Sequence, residues 1–225
     1  MARTKLKRFQ QNATSENVIE VGKERYTTIK GQWHATQFKN QNPITLELGC
    51  GNGEYTVGLG SIFPERNVIG VDIKGSRIWR GSTNAKEKNL TNVAFLRTSI
   101  LELEKFFEPN EVNEIWITFP DPRPRLGDAK RRLTSQRFLG IYQRLIQKGG
   151  KIHLKTDDNP LYQFTLETIE KVGATLLEHT DDLYQSDYLD KHFGLQTTYE
   201  KKFLAEDKKI CYIQFELNKP ISYSK

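Results

Sequence analysis

Leu46-Glu47-Leu48-Gly49-Cys50-Gly51-Asn52-Gly53 decides how this chain folds. Residues 44–48 form a short apolar run that ends in glycines at alternate positions, the pattern of a buried strand that turns sharply at its end. Glycines there let the backbone bend tightly and pass close to a ligand. A dinucleotide loop would read G-x-G-x-x-G and open on a helix that takes a pyrophosphate. Here the third glycine comes one residue early, and Glu54 stands in its place. Glu47, two residues before Gly49, would repel a phosphate but can meet a cationic ligand.

Downstream, Tyr55, Leu59, Ile62 and Phe63 recur at helical spacing until Pro64 stops them. Strands are expected at 67–73, 93–97, 114–119, 151–155, 174–179 and 209–217, with a helix over 76–89. Thr134 can cap a helix carrying Phe138, Ile141, Tyr142 and Leu145 that ends at Gly149-Gly150. Asp158 or Asn159 can cap the next one, with Pro160 in its first turn. Residues 180–200 read as a long connection with little pattern. Strands alternating with helices predict an α/β fold: a mostly parallel sheet with helices on both faces. No helix separates the last two strands, so the final one is expected to enter antiparallel. In such sheets ligands sit at the carboxyl ends of the strands. Asp72 ends the second strand, where an acid can accept both ribose hydroxyls of a nucleoside.

The 225 residues suit one domain with an appendage. No apolar run approaches the roughly 20 residues of a membrane helix, and the basic N-terminus lacks the apolar stretch of a signal peptide. Only two cysteines occur, far apart, which argues against a disulfide scaffold and a cysteine zinc site and for a cytoplasmic protein. The four histidines show no metal spacing. Trp79 and Trp116 are expected in the core, and Trp33 either stacks on a partner or packs on the body. The net charge is +6, but unevenly distributed. Residues 1–40 hold eight Lys/Arg against three acids, and residues 123–137 hold six against one; the remainder is mildly acidic. Two basic clusters point to a polyanion partner. The first 40 residues are polar and aperiodic, and read as a basic, partly disordered arm ahead of a domain over 41–225.

The second motif is Phe119-Pro120-Asp121-Pro122-Arg123-Pro124-Arg125 at the end of the fourth strand. Alternating prolines fix an extended, stiff backbone that can hold the Asp121 carboxylate over a site. Lys130-Arg131-Arg132 follows, a stretch suited to phosphates.

The glycine loop resembles that of class I S-adenosylmethionine-dependent methyltransferases, whose Rossmann-like fold matches the pattern above. With Phe119 to Arg125, Lys130 to Leu133, Lys155-Thr156-Asp157 and Thr197-Thr198-Tyr199-Glu200, the chain from about 44 to 217 resembles the tRNA (guanine-N7-)-methyltransferases of the bacterial TrmB type. The resemblance implies methyl transfer to N7 of a tRNA guanine, usually position 46 in the variable loop, forming 7-methylguanosine. It implies that Glu47, Gly49, Gly51, Gly53, Asp72, Ser99 and Asp121 meet S-adenosylmethionine. Asp121 would also be the catalytic carboxylate. Arg125, Asp157, Thr197, Thr198, Tyr199 and Glu200 fall on substrate positions, and Lys130, Arg131 and Arg132 on the RNA-contacting stretch. No metal is implied. Three positions depart from the family: Arg123 stands where Trp is common, Arg125 where Lys is common, and Ser99 where a polar or acidic residue meets the adenine end.

Guanine N7 carries a free lone pair, so the reaction needs alignment and charge rather than a base. Asp121 can stabilise the purine as it becomes cationic, or hold the guanine edge. Asp157 and Glu200 can accept from N1–H and the exocyclic amine. A DNA-base methyltransferase prefers an aromatic after Asp-Pro-Pro, which Pro122-Arg123 does not supply. A non-catalytic RNA-binding protein would not need Glu47, Asp72 and Asp121 together.

Overall fold

Pro43 leads into β2 (Ile44–Leu48), a strand buried along its whole length. The computed structural model describes residues 2–221; residue 1 and residues 222–225, at the ends of the expected arm and domain, lie outside the described residues. A short strand, β1 (Val18–Ile19), precedes β2, and β3 (Asn67–Asp72), β4 (Val93–Arg97), β5 (Val112–Thr118), β6 (Ile146–Thr156), β7 (Thr175–Thr180) and β8 (Cys211–Glu216) follow. They form one sheet of order β1-β4-β3-β2-β5-β6-β8-β7. Every pairing is parallel except those of β8, which runs antiparallel to both β6 and β7. The expected late antiparallel strand is therefore present.

The helices are α1 (Ala2–Thr14), α2 (Arg25–Thr28), α3 (Glu54–Ile62), α4 (Gly75–Glu87), α5 (Gln136–Leu145), α6 (Asn159–Val172) and α7 (Thr198–Ala205). Side chains alternate across a strand, so the sheet has two apolar faces. Leu46, Leu48, Ile69, Ile115 and Leu154 pack with Leu139 and Tyr142 of α5 and Tyr162 and Ile169 of α6. Val93 and Phe95 pack with Val57 of α3 and Ile78 of α4 on the other face. Trp116 and Tyr212 join Tyr55 and Leu59 of α3 there.

The structure departs from expectation in five places. Residues 1–40 do not behave as a loose arm: β1 extends the sheet beside β4, and Trp33 is fully buried in a π-helical turn over Trp33–Phe38. Its indole N–H donates to the Phe106 carbonyl at 2.8 Å, and its ring stacks on Phe107. Ile19, Ile29, Trp33 and Phe38 reach the core individually, without a 2- or 3.6-residue period that would expose them to pattern reading. Trp79 is only half-buried, with the Arg8 guanidinium over its ring. Helix α5 ends at Leu145 rather than at the glycines, which lie inside β6 beside a shift of register between Val112 and Glu114. A Cβ on Gly150 would stand 2.8 Å from the Asn113 carbonyl, so glycine serves strand packing there, not helix ending. Thr134 does not cap α5; its hydroxyl pairs with that of Thr165 at 2.7 Å. Lastly, the supposed connection over 180–200 runs into α7.

Candidate functional site

Val71 at the end of β3 accepts from the amides of both Gly49 and Cys50, which folds the glycine loop back over the strand ends. Gly49, Gly51 and Gly53 all have positive φ. Gly53 is doubly constrained, since a Cβ there would stand 2.6 Å from the Phe95 ring. Asp72 holds the loop from beneath: one carboxylate oxygen accepts from the Gly51 amide at 2.9 Å, the other from the Lys74 amide at 2.7 Å. Each oxygen keeps a lone pair for a further donor.

Two cavities open beside this loop and share Gly49. One, of about 250 Å³, is lined by Asp72, Ile73, Ser99, Leu101, Arg123 and Arg131. Ser99 stands at the start of the 3₁₀ turn Ile100–Lys105 and accepts from the Leu101 amide. The other, of about 70 Å³, is floored by Glu47 and Thr118 and walled by Phe119, Thr197 and Tyr199. Glu47 is almost wholly buried and takes three hydrogen bonds: from the Thr56 amide at 2.8 Å, the Thr118 hydroxyl at 2.7 Å and the Thr56 hydroxyl. Burial pushes its carboxyl up to about 7, against the opposing pull of those donors. Thr56 and Thr118 carry no motif signal of their own.

Phe119, with φ of 48°, turns the chain out of β5, and its amide donates to the Lys155 carbonyl at 2.8 Å. Asp121 lies beyond it at the cleft mouth, outside both cavity linings. Its carboxylate is 62% exposed and turned to the Arg123 guanidinium at 3.1 Å. Arg125 and Lys130 are exposed on the same loop. Arg131 is exposed and pairs with Asp128. Arg132 is not available to RNA in this arrangement: it is buried, stacked over Phe164, and donates to the Arg123 carbonyl. It braces the loop instead. Asp157, at the end of β6, is partly exposed beside Lys208 at 3.4 Å. Asp158 caps α6 by accepting from the Leu161 amide, which leaves Asp157 free of that duty.

Thr197 to Glu200 divide by burial. Thr197 caps α7 in a capping box with Glu200, each side chain reaching the other's backbone amide. Thr198 binds Glu54 through its amide and hydroxyl. Tyr199 is half exposed and lines the smaller cavity. Glu200 does not reach the cleft: its side chain is fully buried against Lys155 at 2.7 Å. The Thr-x-x-Glu spacing was a readable sign of this cap.

A larger hollow, of about 410 Å³, opens at the opposite ends of β5 and β6. Within it Glu114 lies 2.7 Å from Arg66 and 2.9 Å from His153. Burial alone would raise the Glu114 carboxyl, but these partners hold it below the usual range. None of the expected site residues lies there. No cluster of potential metal ligands exists among the described residues, and no helix there is long and apolar enough to cross a membrane.

The donor set fits S-adenosylmethionine. Acids floor both cavities, and Asp72 offers free lone pairs to a ribose. The Methyltransf_4 family of methyltransferases matches residues 41–213. The tRNA (guanine-N(7)-)-methyltransferase of Cytophaga hutchinsonii is 51% identical over 96% of this chain and 98% of that protein. That of Christiangramia forsetii is 45% identical over 96% of this chain and 99% of that one. Among solved structures, the 16S rRNA methyltransferase KamB superposes with a TM-score of 0.64 at 13% identity, over 89% of this chain and 98% of that one, a likeness of fold. The glycine loop, the proline-bound Asp121 and these relatives agree: the chain belongs to the S-adenosylmethionine-dependent tRNA (guanine-N(7)-)-methyltransferase family.

Proposed function

We propose that the cleft transfers a methyl group to N7 of guanine 46 in the tRNA variable loop, in the cytoplasm where tRNA is modified. The observation that carries this reading is the pair of cavities meeting at Gly49, one beside Asp72 and one above Glu47. When bound, S-adenosylmethionine supplies a methyl group already activated on a sulfonium. Asp72 would accept from the ribose hydroxyls, Ser99 would meet the adenine end, and Glu47 would face the cationic end. Tyr199 and Thr197 would pack against the guanine on the opposite wall. Asp157 would accept from its Watson–Crick edge. Arg125, Lys130 and Arg131 would take phosphates of the surrounding RNA.

No residue need deprotonate N7. Alignment of donor and acceptor within about 3–3.5 Å can supply on the order of 7–11 kcal/mol. Asp121 would supply negative charge as the purine becomes cationic. Its present partner, Arg123, is a half-exposed ion pair. Such pairs contribute about 0–1 kcal/mol, so Asp121 can exchange partners at little cost. Asp121→Ala is therefore expected to abolish methyl transfer while leaving cofactor affinity within about tenfold of wild type. Near-normal turnover in that variant would remove Asp121 from the mechanism.

A further inference from the structure

Lys155 is a charged residue with no exposed surface, and the catalytic scheme above does not use it. Its ammonium lies 2.7 and 2.9 Å from the two oxygens of Glu200 and 3.4 Å from the Leu195 carbonyl. It sits over the Tyr55 ring at 5.2 Å. Glu200 is equally enclosed and also accepts from the Tyr184 hydroxyl at 3.0 Å. The capping box ties that same carboxylate to the first turn of α7, which carries Tyr199. At the other end of the same residue, the Lys155 carbonyl accepts the Phe119 amide, where the chain leaves β5 for Asp121. Phe203 of α7 packs against Phe119, and Tyr199 stacks on Phe203, so the two walls also touch through their rings.

We propose that Lys155 is a positioning residue for methyl transfer: its carbonyl fixes the turn into Asp121, and its ammonium, through Glu200, fixes the helix that presents Tyr199. One residue thereby sets the spacing of the two walls between which the base must lie. Glu200 serves the reaction through Lys155 and α7 rather than by touching guanine. Two charges taken out of water are poor evidence of a device for stability, because neutral replacements of such pairs are often tolerated. Directional bonds to Lys155, Tyr184 and the Thr197 amide suit a device for register.

The inference rests on the cleft proposed above, and the test separates the two. In Lys155→Met/Glu200→Gln both charges go together, so no lone charge stays buried, and Gln still completes the capping box. With folding checked by thermal melting, kcat is expected to fall on the order of a hundredfold, the effect of a misplacement of about 1 Å. Affinities for S-adenosylmethionine and tRNA should stay within about threefold. A double variant with kcat within about threefold of wild type would overturn the proposal. So would Glu200→Gln if it raised KM for tRNA and left kcat alone, the mark of a direct substrate contact. Should the double variant not fold, Tyr184→Phe removes one bond to Glu200 and keeps its charge. Reduced kcat at constant KM supports the proposal there, and unchanged kcat overturns it. A wild-type chain that methylates no tRNA would fail the cleft reading; an active wild type with an equally active double variant would fail this inference alone.

Discussion

Glu47 illustrates how a single residue links pH to binding. Burial pushes its carboxyl up from an ordinary 4.5 to about 7 in the folded chain, outweighing the hydrogen bonds from Thr56 and Thr118 that pull it down. A raised carboxyl favours folding at low pH, and that advantage is lost as pH rises from the unfolded value through 7. The difference amounts to about 3 kcal/mol in the unliganded protein. A cation against Glu47 favours the ionised form. S-adenosylmethionine binding is therefore expected to tighten about tenfold between pH 6 and pH 8, and Glu47→Gln to flatten that rise. Titration calorimetry of both proteins checks it; an equal pH dependence in the variant would place the linkage elsewhere. At this scale the sequence disclosed Glu47 and Asp72 by their position at the carboxyl ends of strands. It did not disclose Lys155. In the run Lys151-Ile152-His153-Leu154-Lys155, alternation places the two lysines and His153 on one face, which reads as solvent-facing. Burial of His153 and Lys155 comes from residues 183–203, distant in sequence, that cover that face.

At the scale of elements, short runs buried on both faces were the most legible. Strands β2 and β4 fall where the apolar runs end at glycine and arginine. The segment ahead of α7 was not legible by periodicity, because Tyr184, Tyr188, Phe193 and Leu195 join the core from irregular turns. The capping box of α7 was the one local signal, and the family resemblance drew Thr197, Thr198, Tyr199 and Glu200 toward substrate instead. The segment ahead of β2 hid for a different reason. Its charge and polarity lie in α1 and the turns, while a few isolated apolar residues do the packing. Trp33→Ala would leave a cavity against Phe107 and strip the Phe106 carbonyl of its donor. A loss of about 3–5 kcal/mol is expected in denaturant melts, whereas a surface tryptophan in a loose arm would change stability by less than about 0.5 kcal/mol.

For the whole molecule, the distribution of charge carries more meaning than the net +6. Glu47, Asp72, Asp121 and Asp157 stand at the ends of four parallel strands, and together they make an acidic floor and rim. The exposed Arg125, Lys130 and Arg131 flank it from the proline loop. In the proposed scheme the cationic cofactor would lie inside and the polyanion around the edge, which is the arrangement a tRNA methyltransferase needs. Arg132 and Glu200, which a motif reading assigns to RNA and substrate, instead brace the two walls from within. The measurement that tests this account most directly uses S-adenosylmethionine labelled on its methyl group. The protein is incubated with it and with separate pools of tRNA and DNA, and the labelled base is then mapped. Label confined to tRNA, at N7 of guanine 46, is the predicted result. Label on DNA, on another base or on another atom of guanine would contradict it.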